Sequence, residues 1–183
     1  MTGAISIRPA AEQDLETITA IYADAVENGT ASYELQPPDC AEMIRRWRAL
    51  TDQGFPYIVA ERDGRVTGYA YAGPYRPRPA YRFTVENAVY VAAGERRSGI
   101  GRRLLQAIID ECERKEFRQM MAVIGDGTNH AASVGLHAAL GFRQVGVIEG
   151  SGYKHQRWLD TILMQRQLGD GSNSPPHSET MIT

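Results

Sequence analysis

A β-rich run that passes through a glycine turn into an amphipathic helix limits this chain most. "FTVENAVYV" (83–91) reads as a strand, "GERRSGIGRR" (94–103) carries Gly99 and Gly101 among arginines, and Ile100, Leu104, Leu105, Ile108, Ile109 and Cys112 then recur along one side of a helix. The buried strand "MMAVIG" follows, completing a β-α-β unit. Upstream, "PYIVAERDGRVTGYAYAG" is two β-rich runs joined through Asp63-Gly64, a hairpin signal that requires antiparallel neighbours. A chain holding both units needs a mixed sheet, which excludes a fully parallel doubly wound fold.

The remaining elements fit round that centre. "AISIR" (4–8) alternates like a short strand. Leu15, Ile18, Ile21, Tyr22, Ala25 and Val26 form one helical stripe. After the loop "NGTASYELQPP", Asp39 with Glu42 resembles a capping box opening a helix with Met43, Ile44, Trp47 and Leu50. "PYRPRPAYR" cannot easily continue a strand ladder because of its prolines. "NHAASVGLHAALGF" is a short helix stopped by Gly141, and "RQVGVIE" and "TILMQRQL" are the last strands. The order is β-α-α-β-β-β-α-β-α-β-β within a single domain at 4–168. The polar, Pro/Gly/Ser-rich stretch 169–183 reads as a disordered tail.

Composition excludes several classes of function. A hydrophobic share of 43% and a charged share of 23% are ordinary for a globular chain. The net charge of −2 argues against nucleic acid or an anionic membrane as partner. The start has no signal-peptide pattern, no apolar run reaches a membrane span, and a cytoplasmic protein is expected. Cys40 and Cys112 form no CxxC pair, and Cys112 on its apolar stripe reads as a buried thiol. His130, His137, His155 and His177 lack metal-site spacing, so no metal is expected.

The glycine turn has three readings as a phosphate loop. A Walker A loop fails because Arg102 and Arg103, not Lys-Ser/Thr, follow Gly101. A dinucleotide fingerprint is weak because Leu104 stands where a small residue is needed. The remaining pattern is Arg-x-x-Gly-x-Gly, Arg96 to Gly101, where main-chain N–H groups and the helix dipole suit a pyrophosphate held without metal. Its alternative is a tight turn with solvated arginines. Glu86 is the second anomaly, a charge mid-strand among apolar residues; its alternative is an edge-strand carboxylate facing water.

With those residues in place, "NGTASYE", "GYAYAGPYRPRPAYRFTVENAVYV", "RRSGIG", "GLHAALGF" and "GYKHQRWLD" resemble, in order and spacing from about residue 5 to 168, the GCN5-related N-acetyltransferase (GNAT) superfamily. Within it they resemble the phosphinothricin and methionine sulfoximine acetyltransferase group. The resemblance implies a GNAT fold, an α/β (α+β mixed) architecture with a mostly antiparallel sheet of seven strands and four helices. It implies acetyl transfer from acetyl-CoA to the primary amine of an amino-acid-like molecule, and a homodimer. A protein N-terminal or lysine acetyltransferase, or a non-catalytic CoA-binding module, are the alternatives; the tight loop 73–83 and the retained Glu86 speak against them.

Residue by residue, the resemblance makes Glu86 the general base. A free glutamate, at roughly 4.3, matches an ammonium poorly, so Glu86 needs a raised pKa or a relaying water. Val89, Tyr90 and Val91 resemble the segment whose main chain pairs with the pantetheine arm. Arg96, Arg97, Ser98, Gly99, Ile100, Gly101 and Arg102 resemble the pyrophosphate loop. His137 stands where many members carry a tyrosine that protonates the leaving thiolate, and is an acid, a CoA-positioning group or structural. Arg76, Arg78 and Arg82 offer guanidinium forks to an acceptor's anionic groups, with Tyr33, Glu86 and Asn87 completing the pocket. Relatives place an asparagine seven residues before "LH"; here that position is His130, with Asn129 one earlier, so either is the CoA contact.

Overall fold

The computed structural model describes residues 3–176. In chain order it holds β1 (Ile5–Pro9), α1 (Leu15–Asn28), α2 (Cys40–Thr51), β2 (Tyr57–Arg62), β3 (Arg65–Pro74), β4 (Thr84–Val91), α3 (Ile100–Arg114), β5 (Gln119–Gly125), α4 (Ala131–Ala139), β6 (Arg143–Lys154) and β7 (Arg157–Gln167). The element order is the one expected. One sheet in the order β1-β2-β3-β4-β5-β7-β6 carries all seven strands. Only β4 and β5 run parallel; the other pairs are antiparallel. The β-α-β unit and the hairpin thus share one mixed sheet, as each local pattern demands.

The sheet separates two cores. Ile100, Leu104, Leu105, Ile108, Ile109 and Cys112 of α3 are all buried against one face, with Ile58, Ala60, Ala70, Ala72 and Val85. Residues one step along the same strands, Val59 and Tyr69, face the other way and pack with Tyr57, Leu15, Ile18, Tyr22 and Met43 under α1 and α2. Alternation with period two produces both faces from one run of apolar residues. Burial pushes the Cys112 thiol up to about 12, in keeping with a small buried hydrophobe rather than a nucleophile.

Local chemistry accounts for the turns. Asp63 and Gly64, at φ 51° and 75°, make the two-residue β2–β3 turn with both central residues left-handed. The Asp39 carboxylate accepts from the Glu42 N–H at 2.8 Å and caps α2. The reciprocal half of the capping box is absent, because the Glu42 side chain turns to Arg45 and Arg46.

The last hairpin is longer than its pattern. Strands expected at 143–149 and 161–168 extend to 143–154 and 157–167 and join through His155 and Gln156, at φ 49° and 60°. Gly146, Gly150 and Gly152 hide the strand pattern of β6, whose register on β7 shifts twice. Residues 169–176, expected to be disordered, form turns in which Arg118 donates to the Pro175 carbonyl at 3.1 Å. Residues 177–183 of the expected tail lie outside the described residues.

The loop after α1 lies directly on the end of β5. A Cβ at Gly125 would meet the Thr30 and Ala31 carbonyls at 2.8 and 2.9 Å and the Tyr33 ring at 2.8 Å. Gly125→Ala is expected to cost about 1–3 kcal/mol by overpacking against this main chain, read as a lower urea midpoint at unchanged slope.

Candidate active site

The site is built where β4 and β5 part. Their pairing covers three positions, Thr84↔Gln119, Val85↔Met120 and Glu86↔Met121. Beyond it, β4 stays on β3 as far as Val91↔Gly68, and β5 stays on β7 as far as Gly125↔Thr161. An opening therefore splits the sheet from Asn87 onward. Thr84 and Ala92 direct main-chain bonds to β3, so strand alternation turns the main-chain groups of Asn87, Val89 and Val91 toward the opening. Tyr90, expected with its neighbours along the pantetheine, directs its main chain to β3 instead. Its side chain packs edge-on to Tyr22 at 5.0 Å and stacks on Tyr69 at 5.1 Å.

The glycine turn stands at the mouth of this opening. Gly99, at φ 85°, occupies the N-cap of α3 in a left-handed conformation that a side chain would strain, and no side chain caps the helix. The N–H groups of the first turn, Ile100 to Arg102, therefore point outward without helical partners. Arg97 takes φ 63°, and Ser98 Oγ donates to the Glu95 carbonyl at 2.5 Å. The arginines divide. Arg96 pairs with Asp24 at 3.2 Å and Arg103 donates to the Ile5 carbonyl at 3.0 Å. Arg97 and Arg102 have no ion-pair partner among the described residues. A bare helix start with two uncommitted arginines fits a pyrophosphate, and the opening beside it fits an extended chain with amide groups.

Glu86 is half-buried on the α1/α2 face and, with Leu50, Tyr71, Gly73, Pro74, Asn87 and Ala88, lines a cavity of about 260 Å³. Burial raises its pKa above the ordinary carboxylate value, and the field of Arg76 opposes the rise. Arg76 lies over the Tyr75 ring at 5.0 Å. Arg82 turns away over the Phe83 ring at 4.6 Å, and Arg78 only opens the short turn Pro79–Tyr81. Of the three loop arginines, the structure brings Arg76 to Glu86. Tyr71 was not singled out from the sequence. It lies opposite Ala88 in the β3 register, between Glu86 and Tyr90 on the same face, and the alternation of "GYAYAG" could have placed it there.

Asn87 points to the opposite face. It is buried, its Nδ2 donates to the Met121 carbonyl at 2.9 Å, and its Oδ1 lies 3.1 Å from His137 Nε2. Asn87 thus lines the cavity beside Glu86, as expected of an acceptor-pocket residue, while its side-chain amide is bonded inside the protein. His137, also buried, has its other nitrogen 2.8 Å from the Ser133 carbonyl, and the Phe142 ring stands edge-on at 5.0 Å. Burial lowers the ring's pKa and the Ser133 carbonyl opposes this.

Tyr33, Asn129 and His130 belong to a separate cluster round Asp126. The buried Asp126 carboxylate accepts from Thr30 Oγ1 at 2.7 Å and Asn129 Nδ2 at 2.8 Å, and pairs with Arg157. Thr30 Oγ1 spends its proton on Asp126, so it accepts from His130 Nε2–H at 2.9 Å. The Tyr33 hydroxyl contacts Thr161 Oγ1 at 2.9 Å and the Asp160 carbonyl at 3.1 Å. These side chains hold the loop after α1 onto β5, α4 and β7. Their polar groups are committed there, away from the expected roles of Tyr33 at the acceptor and Asn129 or His130 at CoA. Near them, the buried Lys154 ammonium donates to the Ser32 carbonyl at 2.9 Å. Among the described residues no helix is long and apolar enough to cross a membrane, and no group of three or more His, Cys, Asp or Glu could hold a metal.

A sheet split between two parallel strands, a bare glycine turn at the mouth of the split and a half-buried carboxylate at its apex define an acetyltransferase of the GNAT class. The acetyltransferase (GNAT) domain family matches residues 7–163, and the chain belongs to it. It is 51% identical over 173 residues to phosphinothricin N-acetyltransferase of Alcaligenes faecalis, covering 94% of this chain and 87% of the relative. It is 42% identical over 171 residues to L-methionine sulfoximine/L-methionine sulfone acetyltransferase of Pseudomonas paraeruginosa, covering 93% of this chain and 98% of that one. Among solved structures, a phosphinothricin acetyltransferase from Sinorhizobium meliloti in complex with AcCoA superimposes with a TM-score of 0.94 at 46% identity, over 96% and 95% of the two chains.

The Asp126 cluster has a pH signature. Arg157, with Thr30 and Asn129, holds the Asp126 carboxyl well below its usual range. The stabilisation is therefore complete above the ordinary carboxylate pKa and declines as pH falls through that value toward the folded one. Asp126→Ala is expected to cost about 2 kcal/mol at neutral pH by stripping bonded donors of their acceptor. Its deficit against wild type in urea unfolding should shrink below about pH 4.

Proposed function

We propose that the chain transfers the acetyl group of acetyl-CoA to the primary amine of an amino-acid-like small molecule of the phosphinothricin, methionine sulfoximine or methionine sulfone type, with Glu86 as general base. The observation that carries this reading is a carboxylate of raised pKa in a cavity at the apex of the sheet opening. A primary amine with a pKa of about 9–10 is roughly 1% neutral or less at pH 7, so the reaction needs a proton acceptor beside the acceptor nitrogen. Desolvation makes Glu86 a better base than a solvated glutamate. The outward N–H groups of α3 with Arg97 and Arg102 would hold the pyrophosphate, and the main chain of Val89 and Val91 the pantetheine arm. Bound acetyl-CoA would supply the thioester that the amine attacks: one amine proton passes to Glu86, the C–S bond breaks, and CoA leaves as the thiol with the second. Donors fixed at the opening then face the carbonyl oxygen on which negative charge develops, commonly the largest contribution in acyl transfer. Arg76 would receive the acceptor's carboxylate or phosphinate. A cavity of about 260 Å³ suits a small molecule better than a peptide.

The base works ionised, so the rate falls as pH drops through the raised pKa of Glu86. Glu86→Gln should lower kcat by about 10²–10⁴-fold with acetyl-CoA binding retained. Arg76→Gln, removing the opposing field, should move the acid limb of the kcat profile to higher pH. Following thiol release across a panel of amino-acid analogues checks both. Turnover of peptide amines alone would overturn the acceptor class, and undiminished turnover by Glu86→Gln would remove the base.

We further infer that residues 4–168 act as one domain, in a reducing compartment such as the cytoplasm that suits the free thiols at Cys40 and Cys112. We also infer that two copies associate through the last hairpin. Its edge strand β6 exposes Val145, Val147, Ile148 and Tyr153, with Trp158 of β7 beside them, a clustered apolar surface on an unpaired edge. Light scattering should give twice the chain mass, and Val147→Lys with Trp158→Lys should reduce it to one.

A further inference from the structure

Asn87 and His137 form a line of contacts that can be counted in protons. The line runs from the Ser133 carbonyl to His137 Nδ1, from Nε2 to the Asn87 amide, and from that amide to the Met121 carbonyl, at 2.8, 3.1 and 2.9 Å. Both ends are carbonyls and can only accept. A neutral imidazole has one N–H, and a primary amide turns one donor end and one acceptor end to its two neighbours. Three contacts therefore meet two donors, and one contact must set two lone pairs against each other. The count is the same whichever way the amide is turned. An imidazolium has two N–H groups and closes all three. We propose that Asn87 is a positioning residue that keeps His137 doubly protonated, and that the pair clamps β4 to β5 at the apex of the opening.

The place of the clamp gives it a consequence. The β4–β5 ladder ends at Glu86↔Met121, and the Asn87 side chain reaches the Met121 carbonyl one step further on. Losing the third proton breaks a contact in the line and frees the first residues of the opening. The charged groups near the ring do not share this role. Glu86 of β4 points to the other face. β5 contributes the Met121 carbonyl, α4 contributes Ser133, and the segment after α4 contributes the Phe142 ring. Among the described residues no charged side chain of β4, β5, α3 or α4 hydrogen-bonds to the ring. Burial favours the neutral ring by more than the Ser133 carbonyl offsets, so the facing Asn87 acceptor has to supply the difference. On the acetyl-transfer reading above, on which this step rests, the clamp sits where the opening that would receive the pantetheine arm begins.

Ring ¹⁵N NMR of the full chain tests the proton count directly. Both nitrogens of His137 should be protonated at pH 7, with a titration midpoint at or above that of an unperturbed histidine, about 6.5. Asn87→Leu, which removes the facing acceptor, should lower the midpoint by about one pH unit or more. Asn87→Asp, which keeps an acceptor and adds charge, should raise it. The Km for acetyl-CoA should rise above the same midpoint and follow it in each variant, a shift that loss of packing alone would not produce. A wild-type ring carrying one proton at pH 7, or a midpoint unmoved between Asn87→Leu and Asn87→Asp, overturns the proposal. A doubly protonated ring in a chain that acetylates no small amine would instead leave the clamp standing and remove the acceptor assignment.

Discussion

The three-residue parallel pairing of β4 with β5 is the constraint on which the site depends. Each strand is held along its other edge, β4 by β3 and β5 by β7, so neither can follow the other once twist turns them apart. The main-chain groups left facing the opening are polar and would be costly if sealed dry and unpaired. An opening of this kind is stable when it holds water or an extended ligand that brings its own donors and acceptors. The α3 stripe keeps the wedge from collapsing. Six buried side chains fix the helix against β2, β3 and β4, and with it the glycine turn at the mouth. Binding chemistry in this fold is therefore mostly main-chain chemistry, and the side chains serve to hold the main chain in place.

Two carboxylates show how environment divides structural from chemical roles. Asp126 directly follows the end of β5, and Glu86 is the third residue of β4, at the last β4–β5 pair. Asp126 is given an arginine, a hydroxyl and an amide, and its pKa falls. Glu86 is given tyrosine and glycine neighbours and the distant field of Arg76, and its pKa rises. A fully bonded carboxylate fastens a loop. A desolvated one with no bonded partner is costly to keep unless the cost is recovered in a reaction, which is why its burial points to chemistry.

Much of this was legible in the sequence because it rests on short-range patterns. The order of elements, the stripe of α3, the Asp63-Gly64 turn, the cap at Asp39 and the anomaly of Glu86 each follow from spacing within about ten residues. What escaped depends on residues far apart. The bonding of the Asn87 amide to Met121 and His137 is set by strand alternation, which sends its side chain to the face opposite Glu86, and by partners 34 and 50 residues away. The spacing of Asn129 and His130 from "LH" points to CoA and carries no trace of the cluster they join. Their partners, Asp126 and Thr30, can be recognised only once the loop after α1 is laid on β5. The end of β6 escaped for a different reason. Three glycines and an exposed face leave no periodicity to read, and the strand exists because β7 offers it a complete ladder.

The sheet also separates the two substrates' requirements. Neighbouring residues Glu86 and Asn87 address different sides, the first the cavity beneath α1 and α2, the second the His137 clamp beside α3 and α4. A slip of one residue in the β3–β4 register would exchange them, so the pairing of Tyr71 with Ala88 sets the chemistry as well as the packing. On the proposed reading, acceptor selection falls to side chains on one face, Leu50, Tyr71 and the loop carrying Arg76, none of which takes part in the opening or the glycine turn. Substitutions among them can change which amine fits without disturbing the donor's seat. On that reading the arginines round Gly99 and Gly101, at the far end of the opening from Glu86, serve the donor and not the choice of acceptor.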